Sequence, residues 1–434
     1  MQLSATSTSV ATPPRVRVSP ARAYGLVFVG ALVIALAIVF VGFRVQTMVD
    51  TTFDPYNFGA MGKSLASGDG FAPFGNLIER RAPLYPMMIG AIYFVFGEQS
   101  TLVSVVQAVL LAATCVIVFD IGRRVFNERV GFIAAALVAL NPLLLRYVGD
   151  LQLEVLLTFL FTATLWATVR FVERPSIGWG VLIGASAALA SLTKSVALPY
   201  PALFAACVVS IALLRKWRGR SGRVPWSALA SMMVVMFALI APWTARNWVA
   251  TGGHFVLVSS GTSDAFLRGY IFSRPEFATL RQPPYTDAEN ESNELFRTLS
   301  RQAGTEWQLN DYETDQILNR AAVQKLVTSP GEFVRKFTVG LFTFWYEMTN
   351  LKNSLLTGGV ALAAWLLASV GLWRARREGQ PVWLFLLPVI YLNVSLAALL
   401  ALGRYSAPIM PPLLILAAFG LDTVLRRRRF GTPG

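Results

Sequence analysis

The chain has 434 residues, of which 55% are hydrophobic and only 14% are charged, and its mean hydropathy is +0.54. A soluble domain carries roughly 25% charged residues, so the composition excludes an ordinary soluble protein and indicates a polytopic membrane protein. The formal net charge is +14. The basic residues concentrate in short connections between apolar runs, which indicates a membrane topology signal rather than nucleic-acid binding.

In chain order, residues 1–23 are predicted to form a disordered cytoplasmic tail rich in Ser, Thr, Pro and Arg. The apolar run from Tyr24 to Phe43 is too long for a signal-peptide core and lacks a small-residue cleavage site, so we expect a retained first helix. Nine further apolar runs approach the roughly 20 residues of a bilayer crossing and predict about ten spans in all. These runs are 100–122, 130–147, 151–169, 177–193, 197–214, 226–245, 354–373, 382–401 and 405–425.

Charge distribution predicts the orientation of these spans. With the N-terminus inside, 20 of the 38 basic residues but only 5 of the 24 acidic residues fall on the cytoplasmic side, as the positive-inside rule requires. Both termini, including the basic tail 426–434, are therefore expected in the cytoplasm of a cell with this protein in its plasma (inner) membrane. Residues 84–97 are apolar but short, and counting them as a span would reverse every later loop. We therefore expect these residues to form a helix that lies in the external interface or a segment that re-enters the membrane from the external side.

This topology divides the chain into an N-terminal transmembrane module at 24–245, an external segment at 246–353 and C-terminal helices at 354–425. The N-terminal module contains a first external loop at 44–84. The external segment holds 12 of the 24 acidic residues and 11 basic ones, so we expect it to be hydrated and to form a small cap.

Ionisable residues near the external ends of the predicted spans are the candidate functional groups. They are Asp54, Glu154, Lys194, Arg246 and Arg404. A charge inside the bilayer costs about 2.5–3.5 kcal/mol on insertion scales, which favours a functional use. The alternatives are a turn residue for Asp54, a helix-start carboxylate for Glu154 and snorkelling anchors for the two arginines.

The order and content of several segments resemble the membrane glycosyltransferases of the GT-C superfamily, in the group of bacterial 4-amino-4-deoxy-L-arabinose transferase and the protein O-mannosyltransferases. The segments that carry the resemblance are the stretch from Gly59 to Phe71 after the early acid, Arg81-Ala82-Pro83-Leu84-Tyr85-Pro86, Asn141-Pro142 before Glu154, Thr193-Lys194, Pro242-Trp243 with Arg246-Asn247, and Arg404-Tyr405 with Pro408 and Pro411. The resemblance implies an all-α GT-C-like bundle of about ten transmembrane helices, with external interfacial helices and a small external cap.

The resemblance also implies an activity. A hexosyl or pentosyl group would move, with inversion, from a polyprenyl-phosphate donor to a hydroxyl or amine of a lipid, glycan or protein on the periplasmic or external membrane face. Carried over by position, Asp54 would be the catalytic base. The remaining roles are donor-phosphate binding by Lys194, Arg246 and Arg404, and sugar or acceptor binding by Glu154, Glu79, Arg81 and Tyr85.

Two departures from the family pattern limit these expectations. Pro55 follows Asp54 where many relatives have a second acid, so the sequence gives no support for a divalent metal or another cofactor, and Glu79 does not align cleanly with a loop carboxylate of relatives. Two alternatives remain at this stage: a transporter or flippase of a lipid-linked sugar, and a non-catalytic relative that binds a polyprenyl lipid. The sequence shows no duplicated halves with paired broken helices, and charges gathered at one face favour single-sided chemistry.

Overall fold

The computed structural model describes residues 19–42, 57–72, 81–277, 284–304 and 312–430. All regular elements in these ranges are helical. The N-terminal half contains α1 (Pro20–Ala37, continued by a π-turn at Ile38–Gly42), α2 (Phe58–Ala66), α3 (Leu84–Phe96), α4 (Ser100–Val125), α5 (Glu128–Ala139), α6 (Pro142–Gly149), α7 (Glu154–Glu173), α8 (Ile177–Thr193), α9 (Tyr200–Trp217) and α10 (Trp226–Ala250).

The C-terminal half contains α11 (Thr262–Phe272), α12 (Pro284–Gln302), α13 (Tyr312–Thr328), α14 (Pro330–Thr343), α15 (Leu351–Arg377), α16 (Trp383–Ala397) and α17 (Met410–Phe430). Two short 3-10 helices, Ser195–Ala197 and Gly403–Ile409, precede α9 and α17. The helices α11 to α14 correspond to the predicted cap.

Seven helices of the described chain are long and apolar enough to cross a membrane, and the pair α5 and α6, bent by 51°, could form an eighth span. The remaining two predicted spans correspond to α8 and α16, which are apolar but only 17 and 15 residues long. Each apolar run therefore folds as helix, and the predicted fold class is confirmed. The ambiguous stretch 84–97 forms the 13-residue α3, which packs closely on α2.

The break between α5 and α6 follows from two adjacent residues. Pro142 cannot donate a backbone hydrogen bond inside a helix but fits its first turn. The Asn141 side chain accepts hydrogen bonds from the backbone N–H groups of Leu143 and Leu144 at 3.0 and 3.3 Å, and so caps α6. The new helix can therefore start at an angle, and its far end leads into the candidate site.

Two glycines bring α8 and α10 into backbone contact. A Cβ added at Gly180 would collide with the Ala228 carbonyl, and one added at Gly184 would collide with the Met232 carbonyl. Small residues four apart are typical of close helix pairs in membranes. The α8 helix, which ends next to Lys194, is thereby fixed against α10.

The opposite end of the bundle is held by Asp120 on α4. Its carboxylate accepts hydrogen bonds from the Tyr24 hydroxyl of α1 and from the Trp166 indole of α7, the latter at 2.8 Å. It also pairs with Arg123 and Arg124 at 3.1 and 2.6 Å. A carboxylate with an exposed fraction of only 6% is tolerable because each lone pair has a donor. Three helices are thus joined at one end.

The cap contacts the membrane helices through α11 and α14. A Cβ added at Gly269 on α11 would collide with the Leu399 carbonyl, and one at Gly340 on α14 would lie 2.9 Å from the Ala397 Cα. The Thr343 hydroxyl donates to the Ala401 carbonyl at 3.4 Å. The cap therefore packs directly against the connection that leads from α16 to Arg404.

Candidate functional site

A cavity that opens to solvent lies where the ends of α7, α8, α16 and the 3-10 helix before α17 meet, and its empty space, counted together with the open mouth, is about 250 Å³. Its wall combines four polar side chains, three of them charged and one phenolic, with apolar ones. The lining residues are Leu153, Glu154, Leu157, Lys194, Val196, Leu392, Leu396, Arg404, Tyr405 and Pro408. The structure thus brings together three of the residues predicted from sequence, although 250 positions separate the first from the last.

Lys194 is placed by a break between two helices. It follows the last residue of α8 in an extended conformation, with φ −154° and ψ 119°, and its backbone N–H donates to the Ala190 carbonyl. The Tyr391 hydroxyl of α16 donates to the Val196 carbonyl at 2.6 Å and holds the short connection in place. The Lys194 ammonium lies 3.4 Å from the centroid of the Tyr405 ring, a cation–π contact that offsets part of its desolvation.

Arg404 is the second residue of the 3-10 helix before α17. The Arg404 Nη2 donates to the Tyr405 hydroxyl at 2.8 Å, and its guanidinium carbon lies 4.7 Å from the same ring. The Gly403 N–H donates to the Glu347 carbonyl at 2.6 Å, which ties the segment that carries this arginine to the turn after α14.

Glu154 occupies the first position of α7, where the helix dipole favours a negative charge. Its exposed fraction is 4%, and its Oε2 atom has no hydrogen-bond partner among the described residues. It interacts electrostatically with Lys194 across the cavity. A buried carboxylate oxygen with spare acceptor capacity is suited to receive a hydroxyl of a bound molecule.

Arg81 lies near this group. It is half-buried just before α3 and interacts electrostatically with Lys194. Lys194 is also influenced by Arg404, so positive charge from three separate segments converges on one region. Such an arrangement favours the binding of an anion, because an anion offsets the mutual repulsion of the three positive charges.

A residue not singled out from the sequence, Gln107 on α4, shapes the approach to Glu154. Its Nε2 donates to the carbonyls of Val148 and Asp150, both at 2.9 Å, and its Oε1 accepts from the Tyr85 hydroxyl at 3.0 Å. The carbonyls at the end of a helix lack helical partners, so this amide satisfies the end of α6. It is the only amide in the apolar run 100–122, which is the signal that could have identified it.

Two other candidates lie away from the cavity wall. The Tyr85 ring is fully buried and packs edge-on against Phe58 with centroids 5.1 Å apart. The Arg246 guanidinium carbon lies 4.7 Å from the Trp243 ring, and its Nη2 approaches the Phe71 carbonyl at 3.4 Å. These contacts connect α10 to the described part of the first loop.

Asp54 and Glu79 lie outside the described residues, so their predicted roles rest on the sequence alone. In the part of the chain that the structure describes, no three His, Cys, Asp or Glu side chains are grouped as a metal site would require. His254, the single histidine, stacks on the Tyr312 ring at 4.3 Å in the cap.

A second cavity, with about 220 Å³ of empty space when its open mouth is included, lies between the cap and α16 and is lined by two buried ionisable residues, one on α14 and one in the turn after it. Burial lowers the pKa of Lys336 to about 7, and its Nζ donates to the Phe266 carbonyl at 3.0 Å while lying 3.5 Å from the Phe266 ring centroid. Burial raises the pKa of Glu347 to about 8. The charge content of the cap predicts a hydrated segment, but the side of the cap that faces α16 buries two of its ionisable residues.

Residues 80–245 match the family model described as dolichyl-phosphate-mannose-protein mannosyltransferase. The matched stretch contains Arg81, Glu154 and Lys194. No curated protein matches the chain at a significant level.

The structure is similar to that of the archaeal oligosaccharyltransferase AglB from Archaeoglobus fulgidus in complex with an inhibitory peptide and a dolichol-phosphate, with a TM-score of 0.53, 13% identity, and coverage of 95% of this chain and 52% of that chain. The Archaeoglobus fulgidus oligosaccharyltransferase complex with Zn and sulfate gives a TM-score of 0.55, 14% identity, and coverage of 93% and 50%. This chain therefore spans about half the length of these proteins. ArnT from Cupriavidus metallidurans in the apo state gives a TM-score of 0.43, 17% identity, and coverage of 96% and 82%. The family match over residues 80–245 and the fold shared with the archaeal oligosaccharyltransferase confirm the resemblance inferred from the sequence.

Proposed function

We propose that this GT-C-fold protein is an inverting glycosyltransferase that takes a sugar from a polyprenyl-phosphate donor and transfers it to a hydroxyl or amine at the external face of the membrane. The observation that carries the proposal is the convergence of Lys194, Arg404 and Glu154 on one cavity with an apolar wall. The family match over residues 80–245 and the dolichol-phosphate bound by the archaeal structural relative support the donor class.

The two cations suit the leaving group of this reaction. When the bond between the anomeric carbon and the phosphate oxygen breaks, the electron pair stays on the phosphate and its negative charge grows. Lys194 and Arg404 are held in place before the reaction by the Tyr405 ring, so little reorganisation accompanies charge development. In a poorly hydrated cleft, preorganised cations stabilise a transition state more than they would in water.

The carboxylates complete the proposed reaction. Asp54 accepts the proton of the acceptor hydroxyl or amine as its oxygen or nitrogen forms the new bond to the anomeric carbon, a role worth about 10²- to 10⁴-fold in rate. Glu154, whose Oε2 has no hydrogen-bond partner in the described part of the chain, receives a hydroxyl of the sugar or acceptor and orients it. Polyprenyl phosphate leaves from the opposite face of the sugar, which gives inversion.

The apolar part of the wall suits the first isoprene units of the donor. Leu157 comes from α7 and Leu153 directly precedes that helix, whereas Leu392 and Leu396 come from α16. A phosphate head beside the cations and a hydrocarbon chain along these leucines would satisfy both halves of an amphipathic ligand.

The direct test incubates the purified protein with a panel of polyprenyl-phosphate sugars and measures donor consumption and polyprenyl-phosphate release. We expect release with at least one sugar, a loss of about 10²-fold or more in Asp54→Asn, and weaker donor binding in Lys194→Gln. Lys63→Gln is the matched lysine control, because Lys63 pairs with Glu98 on the surface at 2.7 Å. Unchanged transfer in both site variants would contradict the assigned roles, and donor binding without release would favour a binding or transport protein.

A further inference from the structure

The connection between α9 and α10 carries a dense group of basic residues. We call residues 213–226 the α9–α10 hairpin. Its basic side chains, all exposed, are Arg215, Lys216, Arg218, Arg220 and Arg223. The candidate site does not use any of them.

The backbone of the α9–α10 hairpin turns back on the end of α9 and concentrates these charges. Gly219 has a φ of +68°, a conformation that favours glycine. The Arg220 N–H donates to the Arg215 carbonyl at 2.9 Å, and a Cβ added at Gly222 would collide with the Ala212 carbonyl. The basic side chains therefore surround the carbonyl end of α9, where the helix dipole is negative.

Several other basic groups at this end of the bundle have carboxylate partners within the protein. Asp120 pairs with Arg123 and Arg124, and Asp422 pairs with Arg129 and Arg426 at 3.2 and 2.9 Å. In contrast, the sequence has no acidic residue at all between Glu173 and Asp264, and the ion pairs between described residues include none of the hairpin's basic side chains. Within the part of the chain that the structure describes, their charge has no carboxylate counterpart.

Two indole rings flank the charges. Trp217 has an exposed fraction of 82% and Trp226 one of 66%. Exposed indoles next to the end of a transmembrane helix are typical of the headgroup region, where an apolar ring with one polar N–H meets both lipid and water. The α9–α10 hairpin thus presents cations and indoles at the depth of lipid headgroups.

The position in the fold identifies the leaflet. The α9 helix starts at Tyr200, close to Lys194, and ends at Trp217, while α10 runs back from Trp226 toward Arg246. Eighteen helical residues rise about 27 Å, close to the thickness of the hydrocarbon core. The hairpin therefore lies at the membrane face opposite to the candidate site.

We propose that the α9–α10 hairpin binds the headgroups of anionic phospholipids in this opposite leaflet. Four of its five cations are arginines, whose planar guanidinium can donate two parallel hydrogen bonds to a phosphodiester. Zwitterionic lipids offer the same phosphate but neutralise it with their own cation, so net negative lipids bind more strongly. This interaction is independent of the transferase activity proposed above.

The test measures thermal unfolding of the full chain in detergent during titration with dioctanoyl phosphatidylglycerol or dioctanoyl phosphatidylcholine. We expect the anionic lipid to bind more tightly, with a preference that weakens at high salt. Replacing all five basic residues by Gln should reduce the apparent affinity for phosphatidylglycerol at least about tenfold. A variant with lysine at the four arginine positions keeps the charge but loses the paired guanidinium hydrogen bonds, so its loss of affinity should be smaller than that of the fivefold Gln variant.

A second control, Arg297→Gln with Arg301→Gln, removes exposed charges from the cap and should leave the lipid preference unchanged. The single variants Arg218→Gln and Arg220→Gln should also bind phosphatidylglycerol more weakly than the wild type, with smaller losses of affinity. These two variants test the proposal even if the fivefold variant does not fold. Equal binding of the two lipids by the wild type, or undiminished phosphatidylglycerol affinity in the Gln variants, would overturn the proposal.

Discussion

The Lys194 ammonium lies 3.4 Å from the centroid of the Tyr405 ring, and this contact joins two helix ends that are 211 positions apart in the chain. Because the ring also contacts Arg404, one aromatic side chain sets the separation of the two cations. The two cations therefore share one aromatic neighbour, which contacts both through its ring and accepts a hydrogen bond from Arg404 through its hydroxyl.

The first prediction concerns this ring. Tyr405→Leu should weaken polyprenyl-phosphate binding about tenfold, because a buried cation–π contact contributes about 1–2 kcal/mol. Tyr405→Phe keeps the ring and should lose less. Equilibrium binding of a fluorescent polyprenyl phosphate measures both variants, and equal losses for Leu and Phe would show that the hydroxyl, not the ring, holds the cations.

The second prediction concerns Gln107. Gln107→Leu should destabilise the protein by roughly 2–4 kcal/mol, because the carbonyls at the end of α6 lose their donors while remaining buried. Transfer should fall further than stability alone explains, since the same amide fixes the segment that leads to Glu154. Thermal unfolding and transfer assays check this. Gln99→Leu is the control, because the Gln99 amide lies exposed at the start of the same helix.

The third prediction tests whether the cap positions Arg404. Gly340→Ala forces α14 away from Ala397, at about 1–3 kcal/mol for an overpacked contact, and should raise the donor KM severalfold. Gly331→Ala on the same helix is the control, because a Cβ there meets nothing within 4 Å.

A double-mutant cycle separates positioning from general destabilisation. In an Arg404→Gln background, Gly340→Ala should leave the donor KM almost unchanged, since the group through which it acts is gone. Additive losses in the double variant would refute a positioning role for this face of α14.

The fourth prediction is a pH dependence of stability. With its pKa raised by burial from 4.5 to about 8, Glu347 is protonated in the folded protein at pH values where the unfolded chain has released the proton. The contribution of Glu347 to the free energy of unfolding is therefore fully present below about pH 4.5 and is lost as the pH rises through about 8. The pKa of Lys336 is lowered by burial from 10.5 to about 7. Lys336 therefore makes the free energy of unfolding rise with pH, but only above about pH 7.

Between about pH 5 and 7 the wild type should lose roughly 1–3 kcal/mol that Glu347→Gln does not lose. Thermal unfolding at a series of pH values measures the difference. Parallel curves for the two proteins would mean that the Glu347 side chain is hydrated in the folded state.

Much of the architecture could be predicted from hydrophobic patterning, because a bilayer restricts the chain to long apolar helices. The grouping of Glu154, Lys194 and Arg404 followed from the cost of leaving charges near the hydrocarbon core. Tyr405 and Gln107 were harder to assign, because their roles depend on contacts with helices distant in sequence. Pattern alone also could not show that Lys336 and Glu347 point toward α16, since the cap is rich in exposed charges.

The glycine contacts of Gly180 and Gly184 have a kinetic consequence. Helices in backbone contact have few side chains between them that could rearrange, so α8 is held rigidly against α10, and Lys194 directly follows its last residue. A lipid diffusing laterally in the membrane would meet a receptor that is already assembled, and encounter frequency rather than a slow structural adjustment would then limit its capture.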